Sequence, residues 1–124
     1  MKYVYNKLVR DKIPQEINNK EGRKSNYKIL NQDEYLKELD KKLFEEAHEF
    51  VEEHSVEELG DLMEVIFAIM KAKGISIDEV EKAREAKKNK KGAFDDRIFL
   101  IDVEQEQRDE QEEKELSKQW RKNN

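Results

Sequence analysis

Two pairs of acids, Glu46 with Glu49 and Glu58 with Asp61, are the residues of this chain whose type and spacing point to chemistry. On a helix, side chains three apart project to the same side, so each pair presents two carboxylates together. At about 100° per residue, with Leu43 at zero, Ala47 and Phe50 fall within about 40°, while Glu46, Glu53 and Glu49 fall at roughly 300°, 280° and 240°. With Leu62 at zero, Ile69 and Val65 fall at roughly 340° and 300°, Glu58 at about 320° and Asp61 at about 260°. The first pair borders an apolar stripe, and Glu58 stands inside one. A carboxylate turned toward a core is costly unless it is neutralised or paired. Four of them meeting from two antiparallel helices repel one another unless a cation lies between. Hard divalent ions such as Mg²⁺, with Mn²⁺ as a substitute, take oxygen ligands of this kind, and Mg²⁺ commonly arrives with phosphate. A plainer explanation competes. Ser55-Val56-Glu57-Glu58 is also a capping box, with Ser55 at N-cap and Glu58 at N3, and needs no metal. In a chain with 44% charged residues, acids at this spacing also arise by chance.

The elements that must position these acids can be read from their ends. Asn31 as N-cap with Glu34 at N3 opens a helix that carries Leu36, Leu39, Leu43, Ala47 and Phe50 to about residue 53. His54 and Ser55 turn the chain into a second helix, from 56 to about 73, which stops at Gly74. So short a connection makes the two helices antiparallel neighbours. Ser76 and Glu79 form another capping box, opening a helix that ends among Lys87, Lys88, Lys90 and Lys91, where cations complement the dipole. Upstream, Asp11 is expected to cap a short helix with Pro14 in its first turn, ended by Gly22. Lys7, Arg10 and Lys12 either solubilise this end or form a lid whose cations reach a phosphate. The apolar run 98–101 suits a buried strand or an extended arm, a short extended segment near 97–103 able to pair with 27–30.

A length of 124 residues suits one domain, expected over 1–103, with 104–124 as a charged helix or flexible tail. The mean hydropathy of −1.12 leaves only a modest core for one subunit. Residues 62–70 are apolar almost all round, with Met63, Phe67 and Met70 off the first stripe, and such a helix is covered on several faces. The expected fold class is therefore all-α, an antiparallel helical bundle completed by oligomerisation as a homodimer or tetramer. A net charge of −5 argues against nucleic acid as a partner. The chain has no cysteine, no apolar run of membrane-spanning length and no signal-peptide core at 1–12, so a cytoplasmic protein is expected. Walker, dinucleotide and zinc patterns are missing, and His48 and His54 are isolated.

With these residues in hand, the chain resembles the all-α NTP pyrophosphatase superfamily, the MazG-like and phosphoribosyl-ATP pyrophosphohydrolase-like proteins. Their pattern, ExxE followed by ExxD on consecutive helices, is matched by Glu46-Ala47-His48-Glu49 and Glu58-Leu59-Gly60-Asp61. YNKLVRDKIP at 5–14 and KKGAFDDRIFL at 90–100 are similar to signatures of one branch, so the resemblance covers 3–103. It implies Mg²⁺-dependent hydrolysis of a nucleoside triphosphate to monophosphate and pyrophosphate, in house-cleaning of the nucleotide pool. Glu46, Glu49, Glu58 and Asp61 would hold the metal, and Glu49 or Glu46 would orient the attacking water. Lys88, Lys91, Arg97, Lys7 and Arg10 would clamp the leaving pyrophosphate. One departure is the short connection: only eight residues separate Glu49 from Glu58, so a substrate contact made from a longer insertion is missing here. Two rivals stand beside the enzyme: a non-catalytic helical dimerisation module, and a nucleotide-binding regulator of the same fold.

Overall fold

Most helices of this chain start where a side chain can satisfy free backbone N–H groups and stop where the backbone turns left-handed. The computed structural model describes residues 1–106 and 110–123, and these form five helices and no strand. They are α1 (Ile13–Asn18), α2 (Gln32–Glu53), α3 (Val56–Lys73), α4 (Ile77–Lys91) and α5 (Glu110–Asn123). The chain divides into two units, Met1–Lys91 with α1 to α4 and Gly92–Asn124 with α5. No helix among the described residues is long and apolar enough to cross a membrane.

In the first unit, α2 opens on a closed capping box. Asn31 Oδ1 accepts from the Glu34 N–H at 2.9 Å, and Glu34 Oε1 accepts from the Asn31 N–H at 3.3 Å. It closes on His54, which takes a left-handed φ of 51°. Ser55 follows at once as N-cap of α3, so two residues reverse the chain and α2 and α3 pack against each other along their lengths. A bond from Gln32 Nε2 to the Ala72 carbonyl, 3.0 Å, ties the open end of this hairpin. Gln32, Leu39 and Glu46 are seven apart, as are Ala72, Val65 and Glu58. Residues seven apart share a helix face, so these six form three successive layers of one seam. The outer layer is the Gln32–Ala72 bond. The middle one holds Leu39 and Val65, which with Met70 are the buried apolar residues among those described. The third holds two acids.

The other face of α3 is covered at Met70 but left open from Val56 to Phe67. With Leu62 again at zero, Val56, Leu59, Met63, Ile66 and Phe67 fall between about 40° and 140°, away from the seam, and all five are exposed. Gly74 ends α3 with φ +69°, and Ser76 and Glu79 then close a second complete capping box for α4, each backbone N–H bonding the other's side chain at 3.1 Å. No residue of α4 is buried.

Two expectations for α1 fail. Asp11 does not cap α1; Lys12 is the N-cap, with no side-chain bond, and the Ile13 N–H donates instead to the Arg10 carbonyl at 3.1 Å. Gly22, with φ +75°, lies in the turn beyond α1 rather than at its end. Residues 97–103 form no strand, and neither do residues 27–30. Ile98, Phe99 and Ile101 stand exposed. A run of apolar residues specifies a strand only when a partner edge takes up its backbone groups, and among the described residues none does.

In the second unit, residues 94–97 turn, with Arg97 at φ 56° and its N–H donating to the Phe94 carbonyl at 3.2 Å. Of the charged tail expected over 104–124, α5 is helical; 107–109 and 124 lie outside the described residues.

Candidate metal centre

The third layer of the α2–α3 seam brings together acids from both helices. Glu46, Glu58 and Asp61 each offer one carboxylate oxygen, and the three atoms lie within 4.8 Å of one another. The seven-residue register positions them. Glu46 and Glu58 take the seam positions that Leu39 and Val65 fill one layer below, and Asp61, three residues past Glu58, joins from the same side of α3.

Glu58 is the informative residue. Its backbone N–H donates to Ser55 Oγ at 3.1 Å, which is half of a capping box. In the boxes that open α2 and α4, the N3 glutamate also folds back to the N-cap N–H. Glu58 makes no such return bond. Its Oε2 is instead shut away from solvent without a hydrogen-bond donor, and Glu46 Oε2 is in the same condition. The capping box therefore explains the Glu58 backbone and leaves its carboxylate unexplained.

The electrostatics follow from this crowding. Burial raises the Glu46 carboxyl above its usual range, the Glu49 charge adds to it, and Lys42 opposes; Asp61 and Glu45 push the same way as Glu49. Burial likewise raises Glu58, the neighbouring Glu49 carboxylate adds to it by favouring the protonated form, and the charges of Asp61 and Glu53 push the same way. Both carboxyls are short of positive charge. Glu46 keeps a side-chain exposure of 12% and has Lys42 Nζ at 3.9 Å from its Oε1.

Glu49 is exposed and is not one of the three converging acids, although its charge reaches both Glu46 and Glu58. It sits at the rim. Arg10 is at the site as well, but on an acid: its Nη2 donates to Asp61 Oδ1 at 2.8 Å. Lys7 Nζ lies 3.8 Å from Glu45. Lys88 and Lys91 are exposed on the last turns of α4, with no hydrogen bond or ion pair to the acids among the described residues. Arg97 belongs to the second unit. His48 is exposed beside Glu52, away from the cluster. Sequence reasoning passed over Lys42, although its spacing of four from Glu46 was a usable signal. Nothing local announces the Arg10–Asp61 pair, whose members are 51 residues apart.

An all-oxygen, net-negative set with two orphaned, enclosed oxygens is what a hard divalent cation would satisfy. No protein-family model, curated protein or solved structure matches this chain.

Proposed function

We propose that the chain is a cytoplasmic Mg²⁺-dependent nucleoside triphosphate pyrophosphohydrolase, with Glu46, Glu58 and Asp61 as the metal ligands. The observation that carries this reading is the Glu58 carboxylate, which forgoes its cap and shares an enclosed layer with Glu46, neither Oε2 having a donor. The donor set fits Mg²⁺, and Mn²⁺ in its place, because both take carboxylate oxygens. When bound, the ion would neutralise charge on the phosphate oxygens. Glu49, solvated at the rim, would take the proton of the attacking water, Glu46 being enclosed and next to Lys42. The water oxygen adds to the α-phosphorus, the bond to the β-phosphate oxygen breaks, and pyrophosphate leaves. Of the cations suggested for its charge, Arg10 is the one in contact with the cluster, through Asp61.

A homodimer or tetramer belongs to this reading, since the open apolar stripe of α3 is the kind of surface a second copy covers. The same stripe favours a second reading, a helical interaction module without catalysis. A panel of common and modified nucleoside triphosphates with Mg²⁺, followed by pyrophosphate release, separates them. Release by the parent and its loss in Glu49→Ala supports the enzyme and its site. Stoichiometric nucleotide binding without release identifies a regulator, neither binding nor release identifies the module, and equal release by Glu49→Ala removes the proposed role of that residue.

A further inference from the structure

Residues 1–12 have no regular secondary structure, Tyr3, Val4, Tyr5 and Val9 are exposed, and Leu8 is the one half-buried apolar side chain. Two ion pairs add to the little hold that burial gives. Lys7 reaches Glu45 on α2 at 3.8 Å, and Arg10 reaches Asp61 on α3 at 2.8 Å. The four residues from Lys7 to Arg10 thus span both acid-bearing helices, one anchor landing on the neighbour of Glu46 and the other on a member of the cluster itself. Asn6, at a left-handed φ of 47°, turns the chain just before the first anchor.

The Arg10 guanidinium holds the outermost acid only. Asp61 has a side-chain exposure of 32% against 12% for Glu46, and the enclosed oxygens of Glu46 and Glu58 remain without a donor. Arg10 therefore supplies one positive charge at the mouth of a cluster that needs more charge, and needs it deeper down. A planar guanidinium cannot enter between three converging oxygens, whereas a bare divalent ion can. The two cations also repel each other across a shared carboxylate.

We propose that Arg10 is a built-in competitor for the divalent cation: it occupies Asp61 while the site is free of metal, and metal binding releases it together with the strap of residues 1–12. The freed guanidinium is then available to an anionic group brought in with the metal, and its planar fork suits phosphate oxygens. This inference rests on the reading of Glu46, Glu58 and Asp61 as a cation site. Exposed ion pairs are weak, so the displacement is modest in energy and reversible.

The test uses the full chain and Mg²⁺ alone. Isothermal titration of Arg10→Gln should show Mg²⁺ binding tightened about two- to five-fold, the factor that an exposed ion pair represents, with Arg10→Lys, which keeps the charge, close to the parent. In the parent, Mg²⁺ should speed tryptic cleavage after Lys7 and Lys12, whereas KCl at equal ionic strength should not, and Arg10→Gln should be cut quickly with or without the metal. Equal or weaker binding by Arg10→Gln, or parent cleavage that ignores Mg²⁺, overturns the competition and leaves the cation site standing. If neither protein binds Mg²⁺, both the competition and the metal reading on which it rests are overturned.

Discussion

Replacing Glu46 with glutamine keeps the shape of the side chain and removes its charge, which makes it the sharpest probe of the acid layer. Asp61 offers an oxygen within 4.8 Å of the Glu46 one. At that separation the repulsion removed is about 0.9 kcal/mol in a water-like dielectric and about 3.5 kcal/mol at an effective value near 20. Asp61 is a third exposed at 32%, so solvent screening holds it toward the low end, about 1 kcal/mol. The attraction lost to Lys42, 3.9 Å away, is also about 1 kcal/mol with the opposite sign. These two cancel. Burial of the charge and the repulsion from Glu49 and Glu45 remain, all of which raise the Glu46 carboxyl. Glu46→Gln should therefore stabilise the metal-free protein by about 0.5–1 kcal/mol, or about 2–8 °C in Tm. Mg²⁺ should reverse the order: a ligand at 100 times its Kd adds about 2.7 kcal/mol, roughly 10–20 °C, to a parent with all its ligands and less to the variant. The assay is thermal melting by far-UV circular dichroism, with chelator and with Mg²⁺. Acidity supplies an internal check. A carboxyl raised in the folded state contributes stability that is present below its unfolded value of 4.5 and lost as pH climbs through the folded value. The chelated parent should lose stability as pH rises above that range, the variant should lose less, and Mg²⁺ should flatten the parent's curve. A variant that melts below the parent in chelator, or that gains as much from Mg²⁺, would refute the reasoning.

Two predictions concern the scaffold. Gly74 holds φ +69° with nothing within 4 Å of where a Cβ would stand, so Gly74→Ala should cost about 1–2 kcal/mol through backbone strain alone, read as a lower melting temperature with unchanged Mg²⁺ affinity. Phe67→Glu puts a charge on the exposed stripe of α3, away from the seam. It should leave the helical signal intact and shift the mass measured by light scattering from dimer or tetramer to monomer; an unchanged mass would move the subunit contact elsewhere.

The helices were legible in the sequence because their ends are decided within a few residues. Asn31 with Glu34, Ser55 ahead of Glu58, Ser76 with Glu79, and Gly74 all act through bonds or φ angles local to the backbone; α2, α3 and α4 begin at these pairs and α3 ends at Gly74. The spacing of the acids was equally plain, since the helical period alone puts Glu46 beside an apolar stripe and Glu58 within one. The role of the Glu58 carboxylate was not. The capping pattern Ser55-x-x-Glu58 describes a bond the side chain could make, and the structure leaves it unmade while the same bond closes in α2 and α4. That outcome depends on acids of α2 that become neighbours of Glu58 only once His54 and Ser55 have turned the chain back. The Arg10–Asp61 pair and the unpaired apolar run at 98–101 are of the same kind. Each depends on which distant group arrives opposite, and residue spacing along a helix carries no information about what stands across from it.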